Sequence, residues 1–278
     1  MAASRPTVAE KRKAFRTLHE RGCFVIPNPW DVGSAIYLQS LGFKALASTS
    51  SGFAWSRACA DNAVGRDAVL AHLADLVAAT DVPINADFES GFAKDPDGVA
   101  ESVRLAVGTG VAGLSIEDST GNAAKPLFDL DAAVARIRAA RGAIDKAGGD
   151  TLLVGRAECF LVGRPDLDET ITRLRAYANA GADCLYAPGV RTREQIAAVV
   201  AAVAPKPFNL LIGWASDLTV TEIGTLGVRR ISVGGALARS AWGGFMRAAK
   251  TIAEQGRFDG FAAAAAGNDL NGLFGRRL

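Results

Sequence analysis

The sequence is poor in the residues on which many metal and nucleophile sites depend. Only two of its 278 residues are histidines, and both His19 and His72 fall in predicted helices away from strand ends. A histidine-based zinc site and a Ser-His-Asp triad are therefore excluded. The four cysteines are far apart and show no CxxC spacing, which predicts neither a disulfide framework nor a metal site and favours a reducing cytoplasm. They are Cys23, Cys59, Cys159 and Cys184.

The chain also lacks aromatic surface, charge excess and long apolar runs. Aromatic residues make up 7% of the sequence and the formal net charge is +2, with no basic stripe, so we expect no nucleic-acid partner. No apolar run approaches the ~20 residues of a membrane span. Residues 1–16 are polar and charged, unlike a signal peptide, so a soluble protein with no membrane partner is predicted.

What the sequence does have is a repeated alternation of short apolar runs and helical patterns. Eight such units, without a Pro/Gly/Ser-rich linker between them, predict one domain over residues 1–278, a (β/α)₈ TIM-type barrel, which typically takes ~250 residues. The strands are apolar throughout, as expected when both faces are buried. They are predicted at Cys23–Ile26, Ala45–Ser48, Pro83–Phe88, Gly113–Glu117, Leu152–Ala157, Cys184–Ala187, Phe208–Ile212 and Arg230–Val233.

Residues 256–278 lie beyond the eighth unit and form an extra C-terminal helical segment in this prediction. The segment carries Phe258, Phe261, Leu270 and Phe274 outside a closed barrel. Apolar side chains there need a surface to cover. We therefore expect the segment to pack on, or swap with, a neighbouring subunit of a homo-oligomer, a dimer or tetramer.

Acidic residues lie at the carboxyl ends of three successive predicted strands. They are Asp87 and Glu89 at the end of the third strand, Glu117 with Asp118 at the end of the fourth, and Glu158 just after the fifth, near Arg156. The carboxyl ends of barrel strands meet at one mouth. Oxygen-only ligands suit a hard cation, and Mg²⁺ fits best, with Mn²⁺ as the alternative. A simpler interpretation, solvated loop residues or helix caps, stays open on the pattern alone.

Five short motifs occur in order on these units. They are Asn28-Pro29-Trp30-Asp31, Thr49-Ser50-Ser51-Gly52, Ala86-Asp87-Phe88-Glu89-Ser90-Gly91-Phe92, Ile116-Glu117-Asp118 and Arg156-Ala157-Glu158. Together they resemble the isocitrate lyase/phosphoenolpyruvate mutase superfamily over about Ile26 to Ala238. The resemblance implies an Mg²⁺-dependent lyase that acts on a 2-oxo or 2-hydroxy di- or tricarboxylic acid through a metal-stabilised enolate.

The resemblance also implies roles for single residues. Asp87 is the expected direct metal ligand, with Glu89 and Glu117 holding the metal's waters. The expected carboxylate and oxo-group cradle is the backbone of Ser51, Gly52 and Phe53. Arg156 is expected to pair with a substrate carboxylate, Asn209 at the end of strand seven to bind its distal group, and Asp61 to lie near the oxo group. Asp61, Arg156 and Glu117 are thus the predicted catalytic residues.

The loop after strand four departs from the family pattern. Ser119 to Pro126 contains neither the cysteine nor the histidine of the family's lyases, and Lys125 and Asn122 do not match the spacing of its mutases. Cysteine-dependent cleavage of isocitrate is therefore not expected. Oxaloacetate decarboxylation or hydrolysis, phosphonopyruvate processing, and a carboxylate-binding barrel with impaired catalysis remain as alternatives.

Overall fold

Eight short parallel strands form a nearly closed barrel with helices outside it. The computed structural model describes residues 5–275. The strands pair in the order β1-β8-β7-β6-β5-β4-β3-β2. They are β1 Phe24–Ile26, β2 Leu46–Ala47, β3 Ile84–Asp87, β4 Gly113–Glu117, β5 Leu152–Arg156, β6 Cys184–Tyr186, β7 Phe208–Leu211 and β8 Arg230–Ser232.

The first and second strands flank the seam of the barrel. The Ala47 N–H donates to the Pro27 carbonyl across the seam at 3.1 Å. Asn28 bridges the same seam at the carboxyl ends of the strands. Its Nδ2 donates to the Ser48 carbonyl, and its Oδ1 accepts from the Val233 and Gly234 N–H groups, each at 2.9 Å. One amide side chain thus joins the carboxyl ends of β1, β2 and β8.

The helices begin where capping side chains satisfy the free N–H groups of the first turn. Thr7, Thr192 and Thr219 form complete capping boxes, and Asp31 and Asp95 cap the helices that follow β1 and β3. The helices are α1 Val8–Leu18, α2 Val32–Ser40, α3 Ser50–Ser56, α4 Arg66–Ala79, α5 Pro96–Gly108, α6 Leu130–Lys146, α7 Leu167–Asn179, α8 Arg193–Val203, α9 Val220–Thr225, α10 Ala236–Gln255 and α11 Gly267–Phe274, with a 3₁₀ helix at Asp259–Ala263.

Helix α1 closes the amino-terminal end of the barrel. Its Phe15 is fully buried and packs in one cluster with Ile26, Ala45, Ala112 and Leu152, which lie in or next to the strands. The Phe15 ring therefore fills the end of the barrel opposite the carboxyl ends of the strands. With that end closed, the open mouth lies where β3, β4 and β5 end.

The predicted barrel is confirmed, and every predicted strand differs from the observed one by at most one residue at either end. The predicted C-terminal helical segment is confirmed by the 3₁₀ helix and α11, as far as residue 275; residues 276–278 lie outside the described part. Helix α3 was not predicted, and the helix predicted around His19 is α1, which ends one residue before it. No helix within residues 5–275 has the length and apolarity needed to cross a membrane.

Candidate active site

Carboxylates from neighbouring strand ends converge on one guanidinium. Asp87, Glu117 and Arg156 are the last residues of β3, β4 and β5. Arg156 Nη1 lies 3.1 Å from Asp87 Oδ1 and 3.2 Å from Glu117 Oε2. Its Nε donates to Oε1 of Glu158, two residues farther along. The structure therefore brings Asp87 and Glu117 to the same nitrogen atom, as expected of side chains that share one mouth.

Burial shifts the pKa values of the charged groups in this cluster. Glu117 and Glu158 are buried, and burial raises the pKa of each carboxyl although Arg156 opposes the shift. Burial alone would lower the pKa of Arg156, but the nearby Glu158, Glu117 and Asp87 outweigh it and raise that pKa. The guanidinium therefore stays charged and is paired with its acidic neighbours.

Glu89 adds a further carboxyl beside this cluster. Its backbone has φ of 48°, a left-handed conformation uncommon for a non-glycine residue, and its carbonyl accepts from the Glu117 N–H at 3.0 Å. Burial, and then the charges of Asp87 and Asp61, raise the pKa of Glu89 to about 8. Like charges held this close disfavour one another's ionised form unless a cation is present.

The donor set fits a hard divalent cation. The side-chain atoms that could bind a metal here are all carboxylate oxygens. The carboxylates of this cluster outnumber the guanidinium of Arg156, which neutralises them only in part. Asp87 Oδ2 is fixed by the Ser50 N–H at 2.9 Å. In the part of the chain that the structure describes, no three His, Cys, Asp or Glu side chains form a ready-made ligand cluster. Mg²⁺ typically keeps several waters and takes only one or two carboxylates, so it can bind without a cluster of three protein ligands.

A cavity of about 170 Å³ lies at this mouth and extends into the barrel. Asp87, Arg156 and Tyr186 line its outer part. Deeper in the barrel its wall is polar, whereas barrel interiors are dominated by bulky branched apolar residues. The lining residues that precede the strand ends include Asn85, Ser115 and Arg230, and Ser232 at the end of β8 adds a further polar group.

The predicted carboxylate cradle is only partly at the cavity. Ser51 lines it, and its N–H has no hydrogen-bond partner among residues 5–275. The Gly52 N–H instead donates to Thr49 Oγ1, and the Phe53 N–H to the Thr49 carbonyl, in the first turn of α3. The Phe53 ring stacks on His72 at 3.9 Å between centroids. In this structure α3 uses the Phe53 N–H, and the cradle role of Phe53 stays a prediction.

Gly52 has a packing role that the sequence did not reveal. A Cβ there would lie 2.7 Å from Thr49 Cγ2 and 2.9 Å from Trp30 Cβ. Only glycine lets α3 approach the segment after β1 this closely. The substrate contact predicted for Gly52 stays a prediction.

Asp61 and Asn209 lie at opposite depths. Asp61 is at the exposed rim of the cavity, in the loop before α4, where partial desolvation and Asp87 raise its pKa. Asn209 was expected at the end of strand seven, and this was wrong: it is the second residue of β7 and fully buried. Its Nδ2 donates to Ser232 Oγ at 2.9 Å and its Oδ1 accepts from Arg230 Nε at 2.7 Å, so its amide is already occupied.

Asp118 and the loop after β4 turn away from the cavity. Asp118 accepts from the Glu158 N–H at 2.8 Å, from Arg173 Nη1 at 3.1 Å and from the Tyr177 hydroxyl at 2.5 Å, so it ties β4 to α7. Lys125 pairs with Asp129 at 2.6 Å, and Asn122 Oδ1 accepts from the Ala124 N–H in its own loop. Neither loop residue lines the cavity.

Sequence reasoning missed Arg230 as a site residue. The pattern did hold a clue, since Arg230 opens an otherwise buried strand, and arginine is almost never fully buried unless it is paired. What the sequence could not tell is which face of β8 it occupies. Its neighbour Arg229 donates to the Gly22 carbonyl on the outside, whereas Arg230 points into the barrel.

Comparison with known proteins identifies relatives along most of the chain. The profile of the phosphoenolpyruvate phosphomutase family matches residues 15–253. A crystal structure of a candidate lyase/mutase from Burkholderia cenocepacia J2315 shares 50% identity and a TM-score of 0.93, covering 96% of this chain and 97% of that chain.

Two further relatives have named activities. Oxaloacetate acetylhydrolase, solved with its product oxalate, shares 28% identity and a TM-score of 0.83 over 97% of this chain and 95% of its own. An oxaloacetate decarboxylase of Rhodopseudomonas palustris (strain BisB18) is 31% identical over 71% of this chain and 65% of its own length. With the matching barrel and acidic strand ends, these similarities establish that the chain belongs to the phosphoenolpyruvate mutase/isocitrate lyase superfamily.

Proposed function

We propose that this protein is an Mg²⁺-dependent carbon–carbon lyase that decarboxylates a small 2-oxo dicarboxylate of the oxaloacetate class. The observation that carries the proposal is the convergence of Asp87 and Glu117 on one nitrogen of Arg156, beside a closed-ended cavity. Asp87, with Glu117 and Glu89 behind it, would hold the cation. A bound Mg²⁺ would act as a Lewis acid on the oxo oxygen of the substrate.

The size of the cavity supports a small substrate. Pockets for drug-sized ligands typically measure ~300–1,000 Å³. The cavity here measures about 170 Å³, which suits a four-carbon acid better than a tricarboxylate. We therefore favour oxaloacetate over isocitrate or methylisocitrate.

Decarboxylation also needs the fewest protein groups. The bond between C3 and the distal carboxylate breaks, its electron pair passes to the 2-oxo group to give an enolate, and CO₂ leaves. A proton then adds to C3 and pyruvate results. Breaking this bond needs no cysteine, in keeping with a β4 loop whose Lys125 and Asn122 stay outside the cavity. Arg156 favours the ionised form of the neighbouring carboxylates and orients them, and Ser51 offers the substrate carboxylate an N–H that has no partner among residues 5–275.

Hydrolysis of the same substrate is the second candidate. The solved relative oxaloacetate acetylhydrolase, with a TM-score of 0.83, favours it. In that reaction water adds to the C2 carbonyl and the C2–C3 bond breaks, which gives oxalate and acetate. The products distinguish the two reactions, because decarboxylation releases pyruvate and CO₂.

The test is metal-dependent turnover with product identification. Oxaloacetate is incubated with wild-type protein and Mg²⁺, and products are quantified against the spontaneous reaction and an EDTA control. We expect pyruvate above background, lost in Asp87→Asn and kept in Asp129→Asn, whose exposed carboxylate pairs with Lys125. Oxalate with acetate would support hydrolysis. Phosphonopyruvate is assayed in parallel, and no turnover of any substrate would favour a carboxylate-binding barrel.

We also propose that a second copy of the chain covers an apolar face on the C-terminal helices. Large apolar side chains there are exposed, and Phe245 and Met246 on α10 reach 62% and 61% exposure. Monomeric proteins rarely expose contiguous apolar patches of more than a few hundred Å². The other exposed members are Trp242, Phe258, Phe261, Leu270 and Phe274.

Four unpaired cysteines support the expected reducing compartment.

A further inference from the structure

A second arginine lies at the inner end of the same cavity. Arg230, the first residue of β8, has a side chain directed into the barrel and is only 2% exposed. It lines the cavity together with Asp87, which stands at the mouth. One cavity is therefore lined by a carboxylate near its mouth and by a guanidinium deeper in the barrel.

The partners of Arg230 are all uncharged. Its Nε donates to Asn209 Oδ1 at 2.7 Å, and its Nη1 to Asn85 Oδ1 at 3.3 Å. Nη1 also lies 3.5 Å from Nε2 of His19. Burial and the nearby Arg230 lower the pKa of His19 to about 3, so that imidazole is neutral.

Among the described residues no nearby titratable group supplies a negative charge either. The titratable neighbours of Arg230 are Cys184 and Tyr186 on β6, on the far side of β7, and burial raises the pKa of both, that of Tyr186 to about 12. In the described part of the chain Arg230 has no ion-pair partner, whereas Arg156 has three. The hydrogen bonds of Arg230 use Nε and Nη1, which leaves Nη2 without a protein partner among residues 5–275.

An unpaired charge held inside a protein is strongly unfavourable, and the usual solution is a partner of opposite sign. A guanidinium presents a planar fork that matches a carboxylate. Arg156, the arginine expected to bind substrate, is already occupied by Asp87, Glu117 and Glu158. Of the two arginines that line the cavity within residues 5–275, only Arg230, the deeper one, is therefore without an acidic partner.

We infer that Arg230 binds the second carboxylate of a dicarboxylate substrate whose 2-oxo acid end lies against Asp87. The inference rests on the proposed function and deepens it, because it makes the protein selective for diacids over monoacids of the same length. In this arrangement the distal carboxylate lies beside the Arg230 guanidinium and Asn85, both of which line the cavity.

Two variants separate anion binding from a purely structural role. Arg230→Met removes the cation. Asn209→Asp is nearly isosteric and gives Arg230 an internal counter-ion at the position of Oδ1, 2.7 Å from its Nε. Arg229→Met is the matched control, since it removes the arginine immediately before β8, whose side chain lies on the outer surface. A structural role predicts that Asn209→Asp leaves ligand binding unchanged.

The experiment measures binding of malonate and propanoate to the metal-free protein by titration calorimetry. These acids have the same length and differ in the second carboxylate. Charge-assisted hydrogen bonds to that group favour malonate in the wild-type protein by roughly 10- to 100-fold. We expect the preference for malonate over propanoate to fall to roughly 1-fold in Arg230→Met and Asn209→Asp and to persist in Arg229→Met. We also expect the melting temperature of Asn209→Asp to rise.

Folded Arg230→Met and Asn209→Asp proteins that keep the malonate preference, or a wild-type protein without one, would overturn the inference. Failure of the proposed function is a separate result. If no oxo acid is turned over but malonate binding depends on Arg230, the anion site stands and the lyase activity does not. If oxaloacetate is turned over with unchanged KM in both variants, the lyase stands and the Arg230 site does not.

Discussion

Replacing Arg156 with methionine tests how the carboxylate cluster is held together. The substitution removes the guanidinium that contacts Asp87, Glu117 and Glu158 but keeps most of the apolar volume. Arg156 is 14% exposed and Glu117 8%, so solvent replaces little of the lost interaction. Removing one partner of a buried ion pair typically costs ~3–5 kcal/mol. We therefore expect Arg156→Met to destabilise the metal-free protein by about that amount.

The assay is thermal unfolding without metal, supported by urea titration. For a domain of this size each 1 kcal/mol corresponds to roughly 2–4 °C, so the melting temperature should fall by roughly 6–20 °C. Arg164→Met is the control, because its contact with Glu169 is on the surface and such pairs contribute at most about 1 kcal/mol. A melting temperature of Arg156→Met within about 2 °C of wild type would refute the proposed role of Arg156.

Three further predictions concern packing, acid stability and assembly. Tyr177→Phe removes the hydroxyl that donates to Asp118 at 2.5 Å, and urea unfolding should show a loss of about 1–3 kcal/mol; an unchanged midpoint would contradict it. Burial lowers the pKa of His72 from 6.5 to about 4. The unfolded chain therefore takes up the proton first, and the stability of wild type relative to His72→Phe should fall by about 2 kcal/mol from pH 6.5 to about 5; parallel pH profiles would refute this. Phe245→Glu should convert an oligomer to smaller species in light scattering, and a monomeric wild type would contradict the proposed assembly.

The barrel could be predicted from the sequence because its strands are short, apolar and bounded by turn residues. Gly113–Glu117 agrees at both ends, since the apolar run and the acidic residue that ends it mark the strand. Helix α3 was missed because Ser50–Ser56 is only seven residues long, and it begins at a Thr49 cap within a segment interpreted as a ligand loop. Local pattern does not distinguish a short helix from a loop of similar composition.

The convergence of charged side chains was predictable where a residue ends a strand. Asp87, Glu117 and Arg156 lie together because parallel strands bring their last residues to one mouth. The depth of Asn209 and the inward direction of Arg230 depend on strand register in the nearly closed barrel, to which all eight strands contribute. A single sequence does not contain that register explicitly.

The most direct test of the central claim is calorimetric titration of Mg²⁺ into the protein in the presence of oxalate. Wild type and Asp129→Asn should each bind one Mg²⁺ per chain. Asp87→Asn, which keeps the shape but loses the charge at the end of β3, should bind it more than ~100-fold more weakly, since even outer-shell substitutions cost ~10–100-fold. Equal Mg²⁺ affinity in wild type and Asp87→Asn would contradict the assignment of this mouth as a metal and oxo-acid site.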